Sequence, residues 1–97
     1  MAGFVLRPRA RDDLGEIWDY TALHWSRDQA DRYVRLLNEA FRNLASGTVA
    51  GRSAEAVRPG YLKVAVGAHV IFFTRTDNGT VDIVRVLHQR MDIQKHL

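Results

Sequence analysis

At 97 residues, the chain has enough length for one hydrophobic core and little more. It contains no cysteine, which excludes disulfides, zinc–thiolate sites and cysteine nucleophiles and fits a reducing cytosol. No apolar run approaches the ~20 residues that span a bilayer, and the 46% hydrophobic and 26% charged fractions are those of an ordinary folded protein.

The formal net charge of +3 is unevenly placed. Residues 1–50 carry seven Arg against seven acids, whereas residues 51–97 carry seven basic residues against Glu55, Asp77, Asp82 and Asp92. A basic second half favours an acidic partner, either nucleic acid or an acidic protein segment. Met1-Ala2-Gly3-Phe4-Val5-Leu6 has no basic leader and no long apolar core, so no signal peptide is expected and a cytoplasmic location is.

In chain order, Gly3 to Leu6 reads as a short strand that ends at Arg7-Pro8. Pro8 suits the first position of a helix, where its missing N–H costs nothing. Ala10, Leu14, Ile17, Trp18, Thr21 and Trp25 then recur as one apolar helical face, with Arg9, Asp12, Asp13, Glu16 and Asp19 assigned mostly to the other side. Ser26-Arg27-Asp28-Gln29 is a capping box. It opens a second helix whose stripe is Ala30, Tyr33, Val34, Leu37, Phe41 and Leu44, with Gly47 as its C-terminal cap. The short connection implies an antiparallel helical hairpin. Gly47 to Gly60 is poor in large apolar side chains and reads as a surface loop.

Three β-rich runs follow. Tyr61 to Val66 precedes a Gly67-Ala68 turn, and His69 to Thr76 precedes Asp77-Asn78-Gly79, where Asn-Gly tolerates positive φ. Thr80 to Leu87 is the last strand. Regular alternation puts Val81, Ile83, Arg85 and Leu87 on one face and Asp82, Val84, Val86 and His88 on the other. The expected fold is α+β in the order β-α-α-β-β-β. A helical hairpin packs on a small, mainly antiparallel four-stranded sheet, followed by a short C-terminal tail or helix, with residues 1–97 forming a single domain.

Three stretches in that order carry a resemblance. Pro8-Arg9-Ala10 with Asp13-Leu14 and Ile17-Trp18-Asp19-Tyr20, then Arg58-Pro59-Gly60-Tyr61, then Arg85-Val86-Leu87-His88-Gln89-Arg90-Met91-Asp92 resemble ParE signatures of the RelE/ParE toxin–antitoxin superfamily. The resemblance covers nearly the whole chain. One departure is Arg7, where relatives often carry a Ser or Thr helix cap. It implies a toxin of a type II system that inhibits DNA gyrase and is neutralised by a ParD-like antitoxin in a hetero-oligomer. The antitoxin carries the operator-DNA contact, so the toxin touches operator DNA only indirectly. No membrane partner and no cofactor or metal is implied. The rival readings are a RelE-like ribosome-dependent mRNA endonuclease and a non-toxic co-repressor remnant.

Cleavage of mRNA needs a base for the 2′-hydroxyl, an acid for the leaving oxygen and cations for the phosphate. Lys occurs only at Lys63 and Lys95, and no Tyr follows Tyr61. Arg75, Arg85 and His88 form at most a minimal phosphate clamp with one titratable group, and Glu55 is a conceivable base in a loop. The expectation is therefore a binder rather than an enzyme, with no catalytic residue assigned. Target contact is assigned to Arg75, Arg85, His88, Arg90 and Met91. Arg85 has an equal competing reading as a structural ion pair with an acid on the first helix, and His88 as a packed structural imidazole. Antitoxin contact is assigned to Trp18, Tyr20, Leu23, Trp25, Leu36 and Tyr61, apolar anchors for a docked helix. His24, His69 and His96 show no metal spacing.

Overall fold

The computed structural model describes residues 3–97. Met1 and Ala2, on which part of the argument against a leader falls, lie outside the described residues. The elements are β1 (Phe4–Leu6), α1 (Pro8–His24), α2 (Arg27–Ser46), β2 (Arg52–Ser53), β3 (Leu62–Val66), β4 (His69–Arg75), β5 (Val81–His88) and α3 (Ile93–His96).

The helix boundaries follow from local chemistry. Pro8 sits at the start of α1, and Arg7 precedes it without any side-chain cap. Ser26 Oγ accepts the Gln29 N–H at 3.0 Å and caps α2, which ends at Gly47 with φ +82. Gly is favoured there because only it enters the left-handed region without a Cβ clash. Trp18 Nε1 donates to Asp31 at 2.8 Å, bracing the two helices against each other.

The sheet has five strands in the order β1-β5-β4-β3-β2. One more strand is present than the four expected, because Arg52–Ser53, inside the segment read as surface loop, pairs antiparallel with Lys63 and Leu62. Two residues of ladder carry no hydrophobic pattern, so composition alone does not mark them. β1 pairs parallel with β5 and the remaining pairs are antiparallel.

The helical hairpin covers one sheet face. Ala10, Ile17, Leu37, Phe41 and Leu44 pack with Ile71, Phe73, Val81, Ile83 and Val86. Full burial of each larger side chain contributes roughly 1.5–3 kcal/mol. A smaller cluster of Phe72, Leu87 and Ala54 lies apart, with Tyr61, Val70, Ile93 and Leu97 packed against it. The second sheet face is thus covered by the chain's own C-terminal segment.

The alternation expected along β5 is corrected by a bulge. Phe73 pairs with Ile83 but Phe72 pairs with Arg85, so Val84 is an extra residue. Past it the faces exchange: Val86 joins Val81 and Ile83 in the helix-side cluster, while Leu87 joins Phe72. Such an insertion redirects the following side chains, and here it redirects Arg85 and His88.

Candidate functional site

The projecting half of the helical hairpin and the end of the sheet enclose a groove of about 860 Å³. Ile17, Tyr20, Thr21 and Trp25 line it from α1 and its cap, Tyr33 from α2, His69 from β4, and Arg85 to His88 from β5, with Met91 beyond. Its rim is apolar and open: Tyr20 is 63%, Trp25 76% and Met91 42% exposed. Large side chains exposed together around a concavity are the usual mark of a protein-binding surface.

The groove floor is polar but internally satisfied. β1 pairs with β5 only as far as Ile83, leaving the rest of β5 without a strand neighbour on that side. Asp13 takes that place. Its carboxylate accepts the Val86 N–H at 2.9 Å and receives Arg85 Nε and Nη2, each at 2.8 Å. The third Arg85 nitrogen, Nη1, donates to the His96 carbonyl at 2.6 Å. The Asp13 carboxylate, held by hydrogen bonds and charge, raises the Arg85 pKa above its ordinary value, against the opposing effect of burial. An arginine held in this fork is committed to its partner and is not free to clamp a phosphate.

Asp13 was assigned to the solvent side of α1. It is buried instead, at 6% exposure. It follows Ala10 by three residues and precedes Ile17 by four, so helical spacing does place it on the core stripe. A carboxylate on that stripe is a signal that a buried cation must face it.

Beside this pair stands an aromatic cluster that the sequence reading passed over. Tyr33 hydroxyl hydrogen-bonds His69 Nδ1 and accepts the Ala68 N–H. His69 and His88 are cross-strand partners whose rings meet edge-on with centroids 5.3 Å apart. Burial lowers the His69 pKa, neighbouring His88 lowers it further, and Asp13 acts in the opposite sense. Burial raises the Tyr33 hydroxyl, opposed by the Ala68 hydrogen bond.

Of the residues expected at target or antitoxin surfaces, Tyr20, Trp25, Arg85, His88 and Met91 converge on this groove. Two groups assigned to separate tasks therefore share one surface. The others lie elsewhere. Arg75 donates to the carbonyls of Leu44 and Val49, closing the C-terminal end of α2. Leu36 borders a smaller recess between α2 and β3. Tyr61 sits under the Arg58 guanidinium in a separate cleft that Leu97 also lines. Trp18 is engaged with Asp31, and Leu23 stands exposed on α1. Arg90 is exposed; its backbone N–H donates to His88 Nδ1 at 3.1 Å. Glu55 accepts the Gly60 N–H within its own loop.

Residues 4–93 match the family model described as "ParE toxin of type II toxin-antitoxin system, parDE". The chain belongs to the ParE toxin family. Toxin ParE1 of Mycobacterium tuberculosis is 45% identical over 94 residues, covering 97% of this chain and 96% of that protein. The fold is shared with a chain of the chromosomal ParDE system from P. aeruginosa, at a TM-score of 0.78 and 21% identity over 91% of this chain and 96% of the other. A chain of the toxin–antitoxin complex RelBE2 from Mycobacterium tuberculosis follows at 0.63 and 20%, over 91% and 98%. The protein is thus a type II toxin of the ParE family, and its tail motif can be placed. Arg85 and the Val86 N–H meet Asp13, His88 holds the Arg90 N–H, and Asp92 caps α3 by accepting the Gln94 N–H at 3.2 Å.

Proposed function

We propose that this ParE-family toxin acts in the cytoplasm as one domain that inhibits DNA gyrase by binding it, and that a ParD-like antitoxin neutralises it by laying a helical segment into the groove. The observation that carries this reading is the groove itself. Exposed Tyr20, Trp25 and Met91 rim a concavity whose fixed cation, Arg85, is already held by Asp13. Apolar anchors around a satisfied floor suit a protein segment better than a phosphate backbone. Because Tyr20 and Trp25 share the surface with His88 and Met91, an antitoxin seated there covers the residues assigned to the target. Operator DNA is reached through the antitoxin.

The test is a gyrase supercoiling assay with the purified toxin, with and without antitoxin, beside a ribosome-dependent mRNA cleavage assay. Inhibited supercoiling, relieved by antitoxin and weakened by Tyr20→Ala/Trp25→Ala, supports the reading. Intact supercoiling with cut mRNA overturns it in favour of an endonuclease.

A further inference from the structure

The groove has a polar corner that its apolar rim does not account for. His69 opens β4, His88 closes β5, and each imidazole has Nδ1 engaged inside the fold. His88 Nδ1 accepts the Arg90 N–H, which keeps its hydrogen on Nε2. His69 Nδ1 shares a hydrogen bond with the Tyr33 hydroxyl. When that hydroxyl donates, His69 also carries its hydrogen on Nε2. Tyr33 is itself fixed: its oxygen accepts the Ala68 N–H at 3.1 Å, and the Gly67 turn packs so close that a Cβ there would lie 2.8 Å from the same oxygen. With both inner nitrogens taken, the pair has two Nε2–H donors left for an occupant of the groove that both rings line.

We propose that His69 and His88 form the recognition point for a carboxylate on the segment that fills the groove, and that filling it takes up a proton at His69. This rests on the groove reading above and adds the polar chemistry of the occupant. Two neighbouring Nε2–H donors suit an acceptor with two oxygens, a carboxylate; of the groove's own acids, Asp13 is already held by Arg85 and Glu16 lies across on α1. The groups facing the pair are Tyr33 and Gln29 from α2, Asp13, Glu16 and Tyr20 from α1, Arg85 from β5, Arg90 after it and His96 from α3. Arg85 is committed to Asp13, so His69, whose Nδ1 faces the Tyr33 hydroxyl, is the member of the pair placed to gain positive charge.

A built-in relay accommodates that charge. In the free protein, burial and the neighbouring imidazole disfavour protonation of His69. A carboxylate arriving at the Nε2 side favours it. A proton added at His69 Nδ1 then donates to the Tyr33 oxygen, and the Tyr33 hydrogen turns to the Val66 carbonyl, 3.4 Å away. No backbone movement is needed.

The experiment is calorimetric titration of the full chain with its co-purified ParD-type antitoxin, after separation, from pH 8 to pH 6. The expected result is an affinity that rises by about five-fold or more on acidification, as uptake of one proton by a group titrating in this window allows. Binding heats in buffers of different ionisation enthalpy should report net proton uptake. His69→Gln/His88→Gln should flatten the pH profile. The wild-type titration stands alone if that variant misfolds. An affinity that is flat or falls on acidification, while Tyr20→Ala/Trp25→Ala still weakens binding, overturns the carboxylate assignment and leaves the groove reading intact. Undiminished binding by Tyr20→Ala/Trp25→Ala overturns both.

Discussion

Asp13 and Arg85 meet across 72 residues of sequence in a two-bond fork, 2.8 Å on each arm, at the point where β1 ends and β5 loses its neighbour. Both side chains are largely withdrawn from water, at 8% and 12% exposure. Removing one partner strands the other in a low-dielectric site, which typically costs about 3–5 kcal/mol. Asp13→Ala also orphans the Val86 N–H. Each of Asp13→Ala and Arg85→Met should therefore lower unfolding free energy by about 3 kcal/mol in urea titrations. Asp13→Ala/Arg85→Met should lose less than the two single losses added together. Additive losses would show that the pair is not coupled.

Arg75 should prove structural. It donates to the Leu44 and Val49 carbonyls and lies against the Phe73 ring. Arg75→Ala should reduce thermal stability by about 1 kcal/mol and leave antitoxin affinity unchanged. A gyrase defect at undiminished stability would return Arg75 to the target surface.

The exposed rim gives the opposite pattern. Tyr20 and Trp25 are exposed, so truncation removes little folded-state packing. Tyr20→Ala/Trp25→Ala should hold its melting temperature within about 2 °C yet weaken antitoxin binding by about 10–100-fold, as loss of aromatic anchors does. Surface binding kinetics beside a thermal scan separate the two effects.

Stability should fall in mild acid through His69. Its folded pKa lies below the ordinary value of 6.5. The unfolded chain then takes up the proton first as pH falls, and stability drops with it. The contribution is whole above about pH 6.5 and is lost as pH falls below it. His69→Gln should remove that portion of the pH slope between pH 7.5 and 5.5 in denaturant melts. An unchanged slope would remove His69 as its source.

Gly67 should resist substitution. Its φ is +56, and a Cβ would press against the Tyr33 ring. Gly67→Ala should destabilise by roughly 1–3 kcal/mol. Gly67→Ala/Tyr33→Ala should recover no more than the steric part, because the strained φ remains. Denaturant unfolding of the two variants checks this.

The fold was readable wherever apolar period and turn chemistry agree. Ser26 and Gly47 cap α2 as expected, and the Asp77-Asn78-Gly79 turn stands where expected, with positive φ at Gly79 and not at Asn78. The site was less readable, and for His88 the cause is a single residue. Regular pairing outward from the Asn78 turn would set His88 against Ala68; the extra residue at Val84 moves it to His69. Nothing in Ile83-Val84-Arg85 announces a bulge, since Val suits a regular strand as well. Asp13 was within reach of helical spacing, but a carboxylate on an apolar stripe is easily set aside. Tyr33 lies on the expected α2 stripe but only half-buried against the core, and its hydroxyl becomes informative only once His69 and Ala68 are brought beneath it.

The first strand has a consequence for the order in which the protein forms. Phe4–Leu6 is held by Val81–Ile83, near the far end of the chain, and Asp13 waits for Arg85. During synthesis the helical hairpin can assemble early from local contacts, but its groove has no floor until the last strand leaves the ribosome. A nascent copy therefore has no groove floor until β5 has emerged and paired with β1, however early the two helices have formed.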